Sequence, residues 1–119
     1  MSLNAEIETL FNNYTFNGNR IPVSFLRYNG KSTTYVTYQN ESNGGDLRGD
    51  DLLLGYIAFY DFDIYSKGDY LALMDDIISK LEEAGWTYHP DRNSPDLYED
   101  DTGYYHKTIN LSKEIEREV

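Results

Sequence analysis

The chain has 119 residues, no cysteine, and 10 basic residues against 21 acidic ones, for a net charge of −11. That length predicts one domain spanning residues 1–119, large enough for a real core. The charge argues against nucleic acid or an anionic membrane as a direct partner, and the missing cysteine removes disulfides, thiolate zinc sites and cysteine nucleophiles.

No apolar run approaches the roughly 18 residues of a membrane-spanning helix. The start, MSLNAEIE, lacks the basic and apolar regions of a signal peptide, so none is expected. Twelve tyrosines accompany five phenylalanines and one tryptophan. Tyrosine couples a large contact area to one polar atom, which suits half-exposed strands and interfaces alike.

In chain order, residues 4–13 read as a short helix, with Ile7, Leu10 and Phe11 at i, i+3, i+4 and Glu6 and Glu8 near the start. Asn17-Gly18-Asn19 breaks the chain. Ile21 to Arg27 reads as a strand, Asn29-Gly30 as a hairpin turn, and Ser32 to Tyr38 as the returning strand. Asn40 to Asp51, NESNGGDLRGDD, reads as a polar loop of the length that often carries function.

Leu53 to Tyr65 alternates clearly. Leu54, Tyr56, Ala58, Tyr60, Phe62 and Ile64 share one face, and Asp61 and Asp63 lie on the other. Such a strand spans about 40 Å, about the whole width of a globule whose radius of gyration is near 14 Å. Either the strand bends or one end projects as a hairpin arm, and the Leu52–Tyr56 end is expected to project, carrying the loop with it.

Ser66 to Ala84 reads as the main helix. Ser66 and Asp69 form a capping-box pattern, and Tyr70, Leu73, Met74, Ile77, Leu81 and Ala84 form an apolar stripe at core spacing. Gly85 supplies the exit. Trp86 to Tyr88 reads as a short strand, and His89 to Asp101 as a polar connection. Gly103 to Leu111 reads as the last strand, with Tyr105, Lys107, Ile109 and Leu111 on one face and Tyr104, His106, Thr108 and Asn110 on the other. The tail KEIEREV is expected to fray. The order predicts an α+β fold of two layers: a mainly antiparallel (mixed) sheet of about four strands, with two helices packed on one face.

No constellation carries recognisable chemistry. NGGDLRGDD contains glycines, but no helix follows to offer phosphate a positive end. An EF-hand frame from Asp91 puts Pro95 at a ligand position and Asp96 where glycine belongs. His89 and His106 form no HExxH pair, and no nucleophile elbow surrounds Ser112. No catalytic residue, metal, cofactor or small-molecule substrate is therefore expected.

Two stretches nevertheless resemble a family. DIYSKGDYLALMDDIISKLEEAGW, followed by DLYEDDTGYYHKTINL, is similar to tail terminator (tail completion, head–tail joining) proteins of siphophages and prophages of Gram-positive bacteria. The shared positions are Tyr65, Ser66, Lys67, Asp69, Ala84, Gly85, Trp86, Leu97, Tyr98, Glu99, Asp101, Thr102, Tyr105, His106 and Lys107, within residues 60–112.

The resemblance implies a structural virion protein and not an enzyme. Such a protein is made in the bacterial host cytoplasm and located in the virion tail. It forms a homo-oligomeric ring, usually a hexamer, that caps the tail tube, with tail-tube or head-connector proteins as partners. Candidate assembly contacts are Asn43, Gly44, Asp46, Leu47, Arg48 and Asp50 in the polar loop, and Tyr104 and His106 on the last strand. A second reading is an acidic inhibitor or immunity-type module that mimics nucleic acid, motivated by the charge of −11. A third is an enzyme using His106 as base.

Overall fold

The computed structural model describes residues 2–49 and 52–116. Helix α1 spans Leu3–Leu10. The strands β1 (Thr15–Phe16), β2 (Asn19–Arg20), β3 (Val23–Phe25), β4 (Thr34–Gly49) and β5 (Leu52–Ser66) follow. Helix α2 is Leu71–Glu83, and after it come β6 (Thr87–Tyr88), a 3-10 turn (Pro90–Arg92), β7 (Leu97–Glu99) and β8 (Tyr104–Glu116). The class is α+β with a mixed sheet. The described residues hold eight strands in two sheets where about four in one were expected.

The excess comes from short pieces that periodicity does not reveal. β1 and β2 form a two-stranded hairpin around Asn17 and Gly18, whose φ values of 51° and 79° are those of a type I′ turn. The main sheet runs β3-β4-β5-β8-β6, and β7 also pairs with β8.

The hairpin expected at Asn29-Gly30 does not form. β3 pairs with β4 in parallel, Val23 opposite Val36 and Phe25 opposite Tyr38. Leu26 turns the chain with φ 66°, and its N–H donates to the Tyr38 carbonyl at 2.9 Å. Tyr28 then folds onto Tyr35, ring centroids 4.6 Å apart, and its hydroxyl accepts the Ser32 N–H at 2.9 Å. These contacts bring the chain back to enter β4 in the direction it left β3.

The expected loop from Asn40 is strand as far as Gly49, with Gly49 opposite Leu52. A ladder is built from backbone groups, so polar side chains facing solvent on both sides do not forbid it. The composition appears instead as register shifts between Asn40 and Ser42, Gly44 and Leu47, and Leu47 and Arg48. The Asn40 amide pins the first shift by donating to the Ser42 and Phe59 carbonyls at 3.2 and 3.0 Å. Beyond Gly55, the last residue of β5 paired with β8 among the described residues, β4 and β5 continue as a two-stranded arm to the Gly49–Leu52 pair, and the molecule measures 53 × 28 × 24 Å.

β8 likewise continues through Glu116, opposite Gly55, where a frayed tail was expected; residues 117–119 lie outside the described residues. Lys113 holds this end, donating to the Glu6 carboxylate and to the Ala84 carbonyl. α2 begins at Leu71 and not at Ser66. The Ser66 hydroxyl closes β5 instead, lying 3.2 Å from the Thr34 hydroxyl and accepting the Gly68 N–H. Asp69 accepts the Leu71 N–H at 3.0 Å. Gly85 supplies the left-handed exit with φ 94°.

The core joins Ile7 and Phe11 of α1 to Leu73, Ile77 and Leu81 of α2 and to alternate strand residues: Val36, Tyr38, Ala58, Tyr60, Phe62, Ile64, Ile109 and Leu111. The Trp86 ring packs edge-on against Tyr60 and Phe62, and its N–H donates to Glu6. Burying each large side chain contributes about 1.5–3 kcal/mol, and this is what selects the strand faces.

Candidate functional site

The same alternation places the remaining side chains of β4, β5 and β8 on the opposite face. At its lower end the ladder sets Tyr35 beside Tyr65 and Tyr65 beside His106. The rings stack in that order, with centroids 4.9 and 4.2 Å apart and interplanar angles of 19° and 14°. Tyr28 extends the row beyond Tyr35, and Tyr104 packs edge-on against Tyr35 and Tyr65. The Lys67 ammonium sits 5.1 Å from the Tyr104 ring centre. Burial pushes the Tyr35 and Tyr65 hydroxyls above their ordinary pKa, helped for Tyr65 by nearby Asp63. All these rings are half-buried, and Tyr28, Tyr35, Tyr65 and His106 use their faces on one another.

Above the rings the face is polar. Asp63 accepts from His106 Nε2 at 3.1 Å and from the Thr108 hydroxyl at 2.5 Å. Asp61 accepts from the Asn110 amide at 2.9 Å. Burial raises the Asp61 pKa, outweighing that hydrogen bond, with Glu41 and Asp63 adding to the rise. His89 Nε2 lies 2.6 Å from the Ser112 hydroxyl, and the His89 ring packs on Phe59. The Arg92 guanidinium lies 3.8 Å over the Phe59 ring and 3.4 Å from Glu41. Glu41, Ser42, Asp61, Arg92 and Asn110 line an open cleft.

The Ser112–His89 pair has the composition of a nucleophile and its base, but not the presentation. Ser112 is buried in mid-strand opposite Phe59, whereas a nucleophile needs an exposed turn beside free N–H donors. The pair braces the 3-10 turn against β8. Among the described residues no group of three or more His, Asp or Glu side chains is arranged to hold a metal. No described helix is long and apolar enough to cross a membrane.

The expected contact residues fall at two separate places. Tyr104 and His106 do come together, at the ring cluster. Asn43, opposite Ala58, and Gly44, opposite Ile57, lie below the arm, where β8 still flanks β5; Asp46 and Leu47 continue β4; Arg48, opposite Leu53, is exposed near the tip. Asp50 lies outside the described residues. Along β5, Tyr65 and Ile57 are eight residues apart, roughly 26 Å at about 3.3 Å per residue. Tyr28, Tyr35 and Arg92 were not singled out from the sequence, and Tyr65 only as a position shared with the resembling family. The alternation of β5 already put Tyr65 beside Asp63, but nothing local signalled that Tyr28 and Tyr35 would join it.

No family model and no curated protein sequence matches the chain.

Proposed function

We propose that the chain is a structural assembly subunit, a tail terminator or head–tail connector protein that forms a ring on the end of a phage or prophage tail tube. The observation that carries this reading is the outer sheet face. It is a continuous layer of stacked tyrosines and hydrogen-bonded polar groups, continuous with a projecting two-stranded arm. Large aromatic area interleaved with polar groups is the chemistry of protein contact surfaces. The reading takes α1 and α2 to back one face of the sheet, as their shared cluster with alternate strand residues supports, and takes the other face, where Thr37, Asn110 and Ser112 are already buried, to meet neighbours through its half-buried rings and exposed polar groups. The resemblance of residues 60–112 supplies the particular role.

The test is absolute mass by light scattering over a concentration series, with negative-stain images and binding to purified tail tubes. A six-fold ring with an open centre that binds tube ends is the expected result. A particle that neither forms rings nor binds tubes, but binds a basic protein in a salt-sensitive way, would replace this reading with that of an acidic inhibitor module.

A further inference from the structure

Charge is segregated across the main sheet. Between Glu8 and Glu41 the chain has no acidic residue at all, and its only charges are Arg20, Arg27 and Lys31. That is unexpected in a chain of net charge −11. All three cations are exposed and flank or follow β3, the strand at one end of the sheet order. The other end is the outer side of β8. There Asp96, just before β7 and paired with Lys107 at 3.2 Å, is followed by Glu99, Asp100 and Asp101 in β7 and the turn after it, all four exposed.

Each edge also exposes an apolar pair. On β3 it is Phe25 and Leu26, with Leu26 58% exposed. Leu26 also holds a left-handed φ of 66°, which costs a non-glycine residue of order 1 kcal/mol or more. On β7 it is Leu97 and Tyr98, with Tyr98 53% exposed and packed on Tyr105 at 4.9 Å.

We propose that copies of this chain join head to tail through these two edges, the basic β3 edge of one against the acidic β7 edge of the next. Strand direction agrees. β3 runs parallel to β4, while β4–β5, β5–β8 and β8–β7 are each antiparallel. β3, β4 and β8 therefore run one way, and β5 and β7 the other. Two copies in the same orientation bring β7 of one against β3 of the next as an antiparallel pair, the more stable arrangement.

The pairing is staggered. β3 lies level with Lys107–Ile109, read through Val36–Tyr38 and Phe62–Ile64, while β7 lies level with Tyr104–His106. That offset of about three residues, roughly 10 Å, is absorbed if the strands tilt about a ring axis. Two different patches in contact make a heterologous interface, which closes into a ring when the rotation between copies allows. The inference deepens the assembly reading and rests on it for ring closure alone.

Two charge-reversed proteins test it: R27E with K31E, and E99K with D100K and D101K. All five side chains are exposed. The first protein then carries net negative charge on both edges and the second net positive charge on both. Each alone is expected to associate at least ~100-fold more weakly than wild type, and their equimolar mixture to recover the wild-type mass as an alternating assembly. Raising salt from about 0.05 to about 0.5 M is expected to weaken wild-type association about tenfold or more.

Wild-type assembly that is insensitive to salt overturns the inference even if a variant fails to fold. It is also overturned by either variant assembling alone, by a mixture that stays monomeric, or by a wild-type protein that is monomeric at about 1 mM. Edge-dependent filaments or dimers in place of rings would uphold this interface and remove the ring-cap reading. Rings indifferent to the reversals would do the opposite.

Discussion

Glu6 sits where α1, the end of α2 and the end of β8 meet. Its carboxylate accepts from Lys113 Nζ and, at 3.3 Å, from the Trp86 indole N–H. Replacing it with alanine removes both acceptor roles. The two losses differ in size. The Glu6 and Lys113 side chains are 28% and 25% exposed, and Lys113 keeps its 2.9 Å bond to the Ala84 carbonyl, so the ion pair contributes about 1 kcal/mol or less. Trp86 is only 3% exposed, so an indole N–H left without an acceptor costs about 1–3 kcal/mol.

Glu6→Ala is therefore expected to cost about 2–3 kcal/mol, while Glu6→Gln, which keeps an acceptor oxygen, costs about 1 kcal/mol or less. Lys113→Met should resemble Glu6→Gln. Urea unfolding followed by tryptophan fluorescence reads this directly, because Trp86 is the only tryptophan. With a slope of roughly 1–3 kcal/mol per molar urea, Glu6→Ala shifts the midpoint by about 1 M. Equal losses for Glu6→Gln and Glu6→Ala would show that the charge, and not the indole, governs the site, and would refute the partition.

A pH effect is expected at Asp61. Its folded pKa is raised by burial, so its contribution to stability is full below the unfolded value near about 3.9 and is lost as pH rises through the folded value. Asp61→Asn should therefore unfold at higher denaturant than wild type at neutral pH and converge with it in acid; a variant less stable at neutral pH would contradict the sign. Gly55→Ala would place a Cβ 2.4 Å from the Ile115 carbonyl oxygen, a backbone atom. It should cost about 1–3 kcal/mol and strip amide-exchange protection from Glu114–Glu116 while leaving Ile109 protected. Replacing residues 48–54 with Asn-Gly, so that the Leu47–Gly55 pair closes the hairpin, should leave the unfolding midpoint nearly unchanged and abolish tail-tube capture.

The parts of this fold that sequence reveals are those where one side chain in two or in three and a half must be buried. β5 is the clearest case: Tyr60, Phe62 and Ile64 turn inward and Asp61 and Asp63 outward, as their alternation demands. The stripe Leu73, Ile77 and Leu81 of α2 is another. What was missed depends on competition between distant residues. Asn29-Gly30 and Asn17-Gly18 carry the same turn signal, and only Asn17-Gly18 turns a hairpin; the stacking of Tyr28 on Tyr35 helps send the other segment into a parallel pairing. Ser66 has the chemistry of a helix cap, yet its hydroxyl is engaged by Thr34, which is 32 residues away. At the outer face, Tyr104 and His106 were legible as neighbours on one strand face, but the stack they join draws on three other segments.

The register shifts in β4 have a consequence for how the arm tolerates change. Asn40 lies opposite Tyr60 and Asn43 opposite Ala58, both on the core-facing side, so the parity of β4 switches between them. A second switch follows between Gly44 and Leu47. Each extra residue acts as a phase adjuster that isolates the stretch above it from the stretch below. An insertion or deletion near the tip shifts side chains only as far as the next adjuster, leaving Val36 and Tyr38 seated. The far end of the molecule is thereby free to vary in length and in the surface it offers, while the body that carries it keeps its frame.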